Sequence, residues 1–151
     1  MASKSILQLK GFDELFNQIQ KAGGSIDQAT ESCVRQSAQI MQAELKAQMQ
    51  ASGVQGDLIN SMPPPQITVK GNRYRAAVGY KKGDFDPSAP SDGYKVVFLN
   101  YGTPRRTKHG KVTGRGFIQD AKKKARPRIK KSQRETLDKI LGRVSNETKA
   151  D

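Results

Sequence analysis

The sequence predicts an α+β fold: an N-terminal helix pair, a small antiparallel sheet with a hairpin, a long basic loop and C-terminal helices. Three observations lead there. Apolar residues recur at helical spacing before residue 50 and again after residue 117, but alternate in twos between residues 66 and 80. Pro63-Pro64-Pro65 stands where the period changes, and proline forbids regular helix there. The 151 residues match one ordinary domain, and no internal repeat interrupts the order.

Residues 12–22 read as a short amphipathic helix, with Phe12, Leu15, Phe16 and Ile19 at helical spacing. Asp13 and Glu14 fall in its first turn, where the helix dipole favours acid. Gly23-Gly24 ends it. Ser25, with Gln28 three residues on, forms a capping box for a second helix over about residues 26–50. The stripe of that helix is Ile26, Ala29, Cys33, Val34, Ala38, Met41 and Leu45. A narrow stripe with many small residues predicts packing on a sheet or on a copy of itself.

Ser52–Pro65 reads as a boundary, with one brief helical turn at 57–61. A hairpin follows. Ile67 and Val69 mark one arm; Tyr74, Ala76, Val78 and Tyr80 alternate in the other; Gly71-Asn72 suits the two-residue turn. Lys81–Gly93 is a polar loop with two prolines, and Tyr94–Tyr101 reads as a third strand, closing a sheet over 66–101. The basic loop covers 102–116. Phe117 then begins a helix with Phe117, Ile118, Ala121 and Ala125 inward, which Pro127 kinks or divides. A last helix over about 130–144 turns Leu137, Ile140, Leu141 and Val144 to one side, and 145–151 forms a frayed tail.

At 34% hydrophobic and 6% aromatic, with no Trp, the chain predicts a thin core and segments ordered by contact with partners. No apolar run approaches the ~20 residues that span a bilayer, and Ser5–Leu9 is too short and polar for a signal-peptide core. The expected compartment is the cytoplasm, or an assembly built there. Cys33 is the single cysteine, which excludes an internal disulfide.

The net charge of +13 is concentrated in one segment. Residues 105–131 hold twelve basic groups against one acid, Asp120. Five lie in the loop or arm: Arg105, Arg106, Lys108, Lys111 and Arg115. Seven lie on the predicted helix surface: Lys122, Lys123, Lys124, Arg126, Arg128, Lys130 and Lys131. Such a block repels itself unless a polyanion or an acidic protein surface lies nearby. It reads as a solvated surface, as a phosphate-contacting surface without sequence preference, or as a contact for an acidic neighbour.

Chemistry-bearing residues are sparse. His109 sits in the basic loop with no carboxylate to orient it, and reads as a solvent-facing residue. Cys33, on an apolar helix face, reads as a small buried hydrophobe. One Cys and one His cannot build a structural zinc site. Asp84, Asp86 and Asp92 suggest a metal loop, and with magnesium a small nuclease. Pro87 and Pro90 intrude, however, and no glutamate closes the loop, which favours a polar turn. Gly110–Gly116 matches no phosphate-loop spacing, so its glycines read as providing flexibility. No catalytic, metal or cofactor site is expected.

The order of segments resembles the tail-completion or head–tail joining (neck) proteins of long-tailed bacteriophages, the broad group that includes phage lambda's minor tail protein Z. The resemblance covers about residues 11–141 and rests on three stretches. "GDLINSM" (56–62) is similar to a glycine–polar–leucine–x–x–serine step between helix and sheet, with Gln55 where a threonine usually precedes the glycine. "VVFLNYGT" (96–103) looks like a strand ending in an aromatic-Gly-Thr turn. "GFIQDAKKKA" (116–125) looks like the following helix start, with Gly116 where relatives often have proline, which predicts a looser start.

The resemblance implies a structural virion protein rather than an enzyme. Such proteins assemble as rings around the DNA channel and help a tail attach to a filled head. It implies location in the neck of the particle, after assembly in the host cytoplasm. It also implies as partners other copies of this chain and neighbouring neck and tail proteins, with no membrane. The positive segment then pairs mainly with acidic protein surfaces; facing the packaged DNA is the alternative. Outside the family reading, the competing function is sequence-independent DNA binding through residues 105–131.

Overall fold

The computed structural model describes residues 26–71, 73–81, 91–103 and 110–147. The predicted helix over 12–22, the Ser25 cap, Asn72 of the hairpin turn, and residues 148–151 lie outside the described residues. So do Asp84, Asp86, Arg105, Arg106, Lys108 and His109.

The fold is α+β. Helix α1 spans Ile26–Ala51 and the short helix α2 spans Gly56–Asn60. Strands β1 (Gln66–Lys70) and β2 (Arg73–Ala77) follow, then helix α3 (Asp92–Tyr101) and the long helix α4 (Phe117–Glu147). The alternation between residues 66 and 77 forms an antiparallel hairpin, with Ile67 opposite Ala76 and Val69 opposite Tyr74. Gly71 at its turn has φ +56, a value that favours glycine.

Helices α1 and α4 run antiparallel along each other, and their seam has two halves. Near the start of α4, Leu45 and Met49 of α1 join Phe117 and Ala121 in one apolar cluster with Val54, Met62 and Val96. Met49 and Phe117 are its two large, fully buried side chains. Each stabilises by roughly 1.5–3 kcal/mol through burial. Farther along, the seam becomes polar: Ser132 and Thr136 both donate to the Gln36 side-chain oxygen (3.1 and 2.8 Å), and Gln133 donates to the Ser37 hydroxyl (3.1 Å). Ala38 and Ala125 are buried, small residues of the kind that let helix backbones approach. The predicted stripe is confirmed at Ala29, Ala38 and Leu45, whereas Cys33 and Val34 are half-buried. The partner of α1 is α4, with β2 in secondary contact.

Two expectations are corrected. Tyr94–Tyr101 is not a third strand; residues 92–101 are helical, and the sheet has two strands. The run is rich in strand formers, but Ser91 caps it, its hydroxyl accepting from the Tyr94 N–H (3.4 Å). Helical spacing then aims Val96 and Asn100 together into the interior, and sets the Tyr94 and Phe98 rings edge to face with centroids 4.4 Å apart. The second correction concerns Pro127. It does not divide the C-terminal region, and α4 continues through it. The proline is exposed, and its missing N–H removes one bond from the helix ladder without ending the helix. The last helix and the first part of the predicted tail, through Glu147, therefore belong to α4.

Candidate functional site

The stretch Asn100-Tyr101-Gly102-Thr103 is a joint. Asn100 is 2% exposed, the one buried polar side chain among the described residues. Its Oδ1 accepts from the Ile118 N–H at 2.8 Å, so a residue of α3 caps the first turn of α4. Its Nδ2 donates to the Gln119 side-chain oxygen at 3.2 Å. The backbone adds to the same tie: Gly116 N–H donates to the Asn100 carbonyl, and Arg115 N–H to the Leu99 carbonyl, both at 3.0 Å. The entry to α4, at Gly116 and Phe117, is thus tied to the end of α3 by backbone and side-chain bonds.

Glycine is required on both sides of this joint. Gly102 has φ +80, and a Cβ there would lie 2.7 Å from the Val112 carbonyl oxygen and the Gly114 nitrogen. A Cβ on Gly114 would lie 2.6 Å from the Tyr101 carbonyl carbon. Thr103 N–H donates to the Val112 carbonyl at 2.9 Å, and Val112 N–H donates back to the Thr103 hydroxyl at 3.0 Å. The glycine at 114 therefore serves close backbone approach rather than the expected flexibility. The returning limb of the basic loop, 112–116, is pinned along the end of α3.

Of the five arm residues, Lys111 and Arg115 are described. Lys111 is exposed. Arg115 reaches back, its guanidinium donating to the Ser52 carbonyl at 2.8 Å. All seven helix-surface cations are exposed, but they divide into two groups. Lys124 and Arg128 lean onto α1, bonding Gln48 (3.2 Å) and Glu44 respectively, and Lys131 lies 3.9 Å from Glu135. Lys122, Lys123, Arg126 and Lys130 form no hydrogen bond or ion pair with described residues, and helical spacing puts them on the side away from α1.

An open groove of about 1080 Å³ lies between α2, α3 and the limb carrying Val112, with Val54, Leu58, Phe98 and Leu99 in its wall. Asp92, at its rim, lies in the first turn of α3. The Ser61 hydroxyl, and then the Lys95 ammonium at 3.0 Å, hold its carboxyl below the usual carboxylate range. The Tyr80 hydroxyl donates to the Leu58 carbonyl, and burial pushes its phenol above the ordinary value. Burial likewise raises the half-buried Cys33 thiol, which disfavours the nucleophilic thiolate. Among the described residues no three His, Cys, Asp or Glu side chains converge as metal ligands. No described helix is long and apolar enough to cross a membrane.

Sequence reasoning missed Asn100. A polar residue inside an apolar run, just before Tyr-Gly-Thr, was the available signal. In comparison with known proteins, no family model, no curated protein and no solved structure matches the chain.

Proposed function

We propose that this chain is a structural, non-catalytic subunit that assembles head-to-tail into a ring. In this reading it is a neck or tail-completion protein that joins the tail of a long-tailed bacteriophage to its DNA-filled head. The observation that supports it best is the hairpin. It stands as a two-stranded sheet, eight of its ten strand residues are exposed, and both outer edges lack a strand partner among the described residues. Two strands alone are marginal in water, and an open edge is a template for another chain. Exposed Val69 (52%) and Tyr101 (61%) add apolar surface for a neighbour to cover. Ring closure requires such unlike surfaces on each subunit.

Sedimentation velocity at physiological salt, with and without a short duplex, tests this. A discrete oligomer unaffected by DNA supports the ring. A monomer that shifts only with DNA overturns it in favour of the second reading, sequence-independent DNA binding. That reading is favoured by Lys122, Lys123, Arg126 and Lys130, which are exposed and form no ion pair with the described residues. In particles, neutralising Arg105, Arg106, Lys108 and Lys111 together is expected to block head–tail joining; normal joining rules out an essential arm.

A further inference from the structure

The hairpin has a second property that neither reading uses. Strand alternation gives it two faces. One carries Ile67 and Tyr74, both half-buried, with Asp27 and Glu31 of α1 beside the Tyr74 hydroxyl. The other carries Thr68, Lys70, Arg73 and Arg75, all exposed. The register sets Lys70 directly opposite Arg73, and Thr68 opposite Arg75. Like charges facing each other across a strand pair are destabilising. None of the three cations forms an ion pair or hydrogen bond with the described residues. They line one open hollow of about 720 Å³ with Thr68.

We propose that this face binds the phosphate backbone of nucleic acid, as a site separate from residues 105–131. Arg73 and Arg75 lie about 7 Å apart along one strand, and Lys70 lies about 5 Å across from Arg73. A duplex carries one phosphate charge per about 1.7 Å of its axis, so the patch covers several at once. Guanidinium groups present paired donors to phosphate oxygens, and the Thr68 hydroxyl supplies another donor. A two-stranded ribbon also fits the major groove. The face holds no aromatic or large apolar side chain. A protein partner would need a largely uncharged interface core, so this composition favours a polyanion. Nothing on the face is set to read bases, and contact is to the backbone alone. The site does not depend on whether the chain forms a ring.

The test is fluorescence anisotropy of the full chain with a labelled duplex of arbitrary sequence, between 50 and 200 mM salt. The variant Lys70→Thr/Arg73→Thr/Arg75→Thr keeps strand propensity. Three lost contacts lower the slope of log affinity against log salt by about 2.7. Over that fourfold salt range the wild type then loses about forty-fold more affinity than the variant. The charge-keeping Arg73→Lys/Arg75→Lys retains the slope if phosphate contact is the cause, and guards against a triple variant that misfolds. The proposal is overturned if the triple variant, still folded by circular dichroism, binds with unchanged slope. It is equally overturned if only Lys122→Gln/Lys123→Gln/Arg126→Gln/Lys130→Gln abolishes binding, or if poly-glutamate displaces the duplex at equal charge. Sedimentation of the same variants keeps ring assembly and duplex binding as separate outcomes.

Discussion

Asn100 concentrates more consequence than any other described side chain. It is a buried amide whose oxygen ends one helix's demand for an acceptor and whose nitrogen satisfies Gln119. Asn100→Ala removes both bonds and leaves the Ile118 N–H without its cap. The expected cost is about 2 kcal/mol, read as a lower midpoint in urea unfolding. Tyr80 makes a pH-dependent contribution. Its phenol is held above the ordinary value, first by burial and then by the Asp92 charge, against an opposing bond from Ser61. The folded chain therefore keeps a proton that the unfolded chain releases above about pH 10. Stability from this source is complete below that pH and falls as pH rises through the folded value. Tyr74 adds to the same trend, its phenol raised by desolvation and by Asp27. Tyr80→Phe is expected to cost about 1 kcal/mol at neutral pH, and to make the alkaline decline shallower in melts from pH 8 to 11. An unchanged decline would assign the effect elsewhere.

Among the elements, α4 carries an evident inefficiency. Pro127 lies inside it on the exposed side and removes one backbone hydrogen bond. Pro127→Ala is expected to raise stability by up to about 3 kcal/mol, visible as a higher thermal midpoint. Elements with a clean period were legible in the sequence: α1 from its stripe, the hairpin from its alternation and its glycine turn. Helix α3 was not. Tyr94, Val96, Val97 and Phe98 favour strand in isolation, and the deciding contacts are tertiary: Val96 in the core and Asn100 over the start of α4. Ser91 before Asp92, and an aromatic pair four residues apart, were the local signs of a helix. The basic residues were legible as a block but not in their division. Whether a cation leans onto α1, as Lys124 and Arg128 do, or faces outward, as Lys122 and Arg126 do, depends on how α4 is rotated against its partner. The cationic face of the hairpin was not legible as a patch, because its three charges are spread over two short strands outside that block.

At the scale of the molecule, ten apolar residues are buried among the described ones, and four of them are alanines. Such a core leaves little margin. Cohesion is also uneven. The two-part seam between α1 and α4 joins the helices by packing at one end and by hydrogen bonds at the other. Water competes for a hydrogen bond, and each one nets only about 1 kcal/mol, whereas it offers nothing to Phe117 or Met49. The pair therefore behaves like tongs riveted at one end. In deuterated buffer, amides near residues 41–49 and 118–125 are expected to retain protons longest, while those near 33–37 and 132–137 exchange through partial openings that leave the rivet closed. Equal protection along both helices would mean that the polar seam holds as firmly as the apolar one.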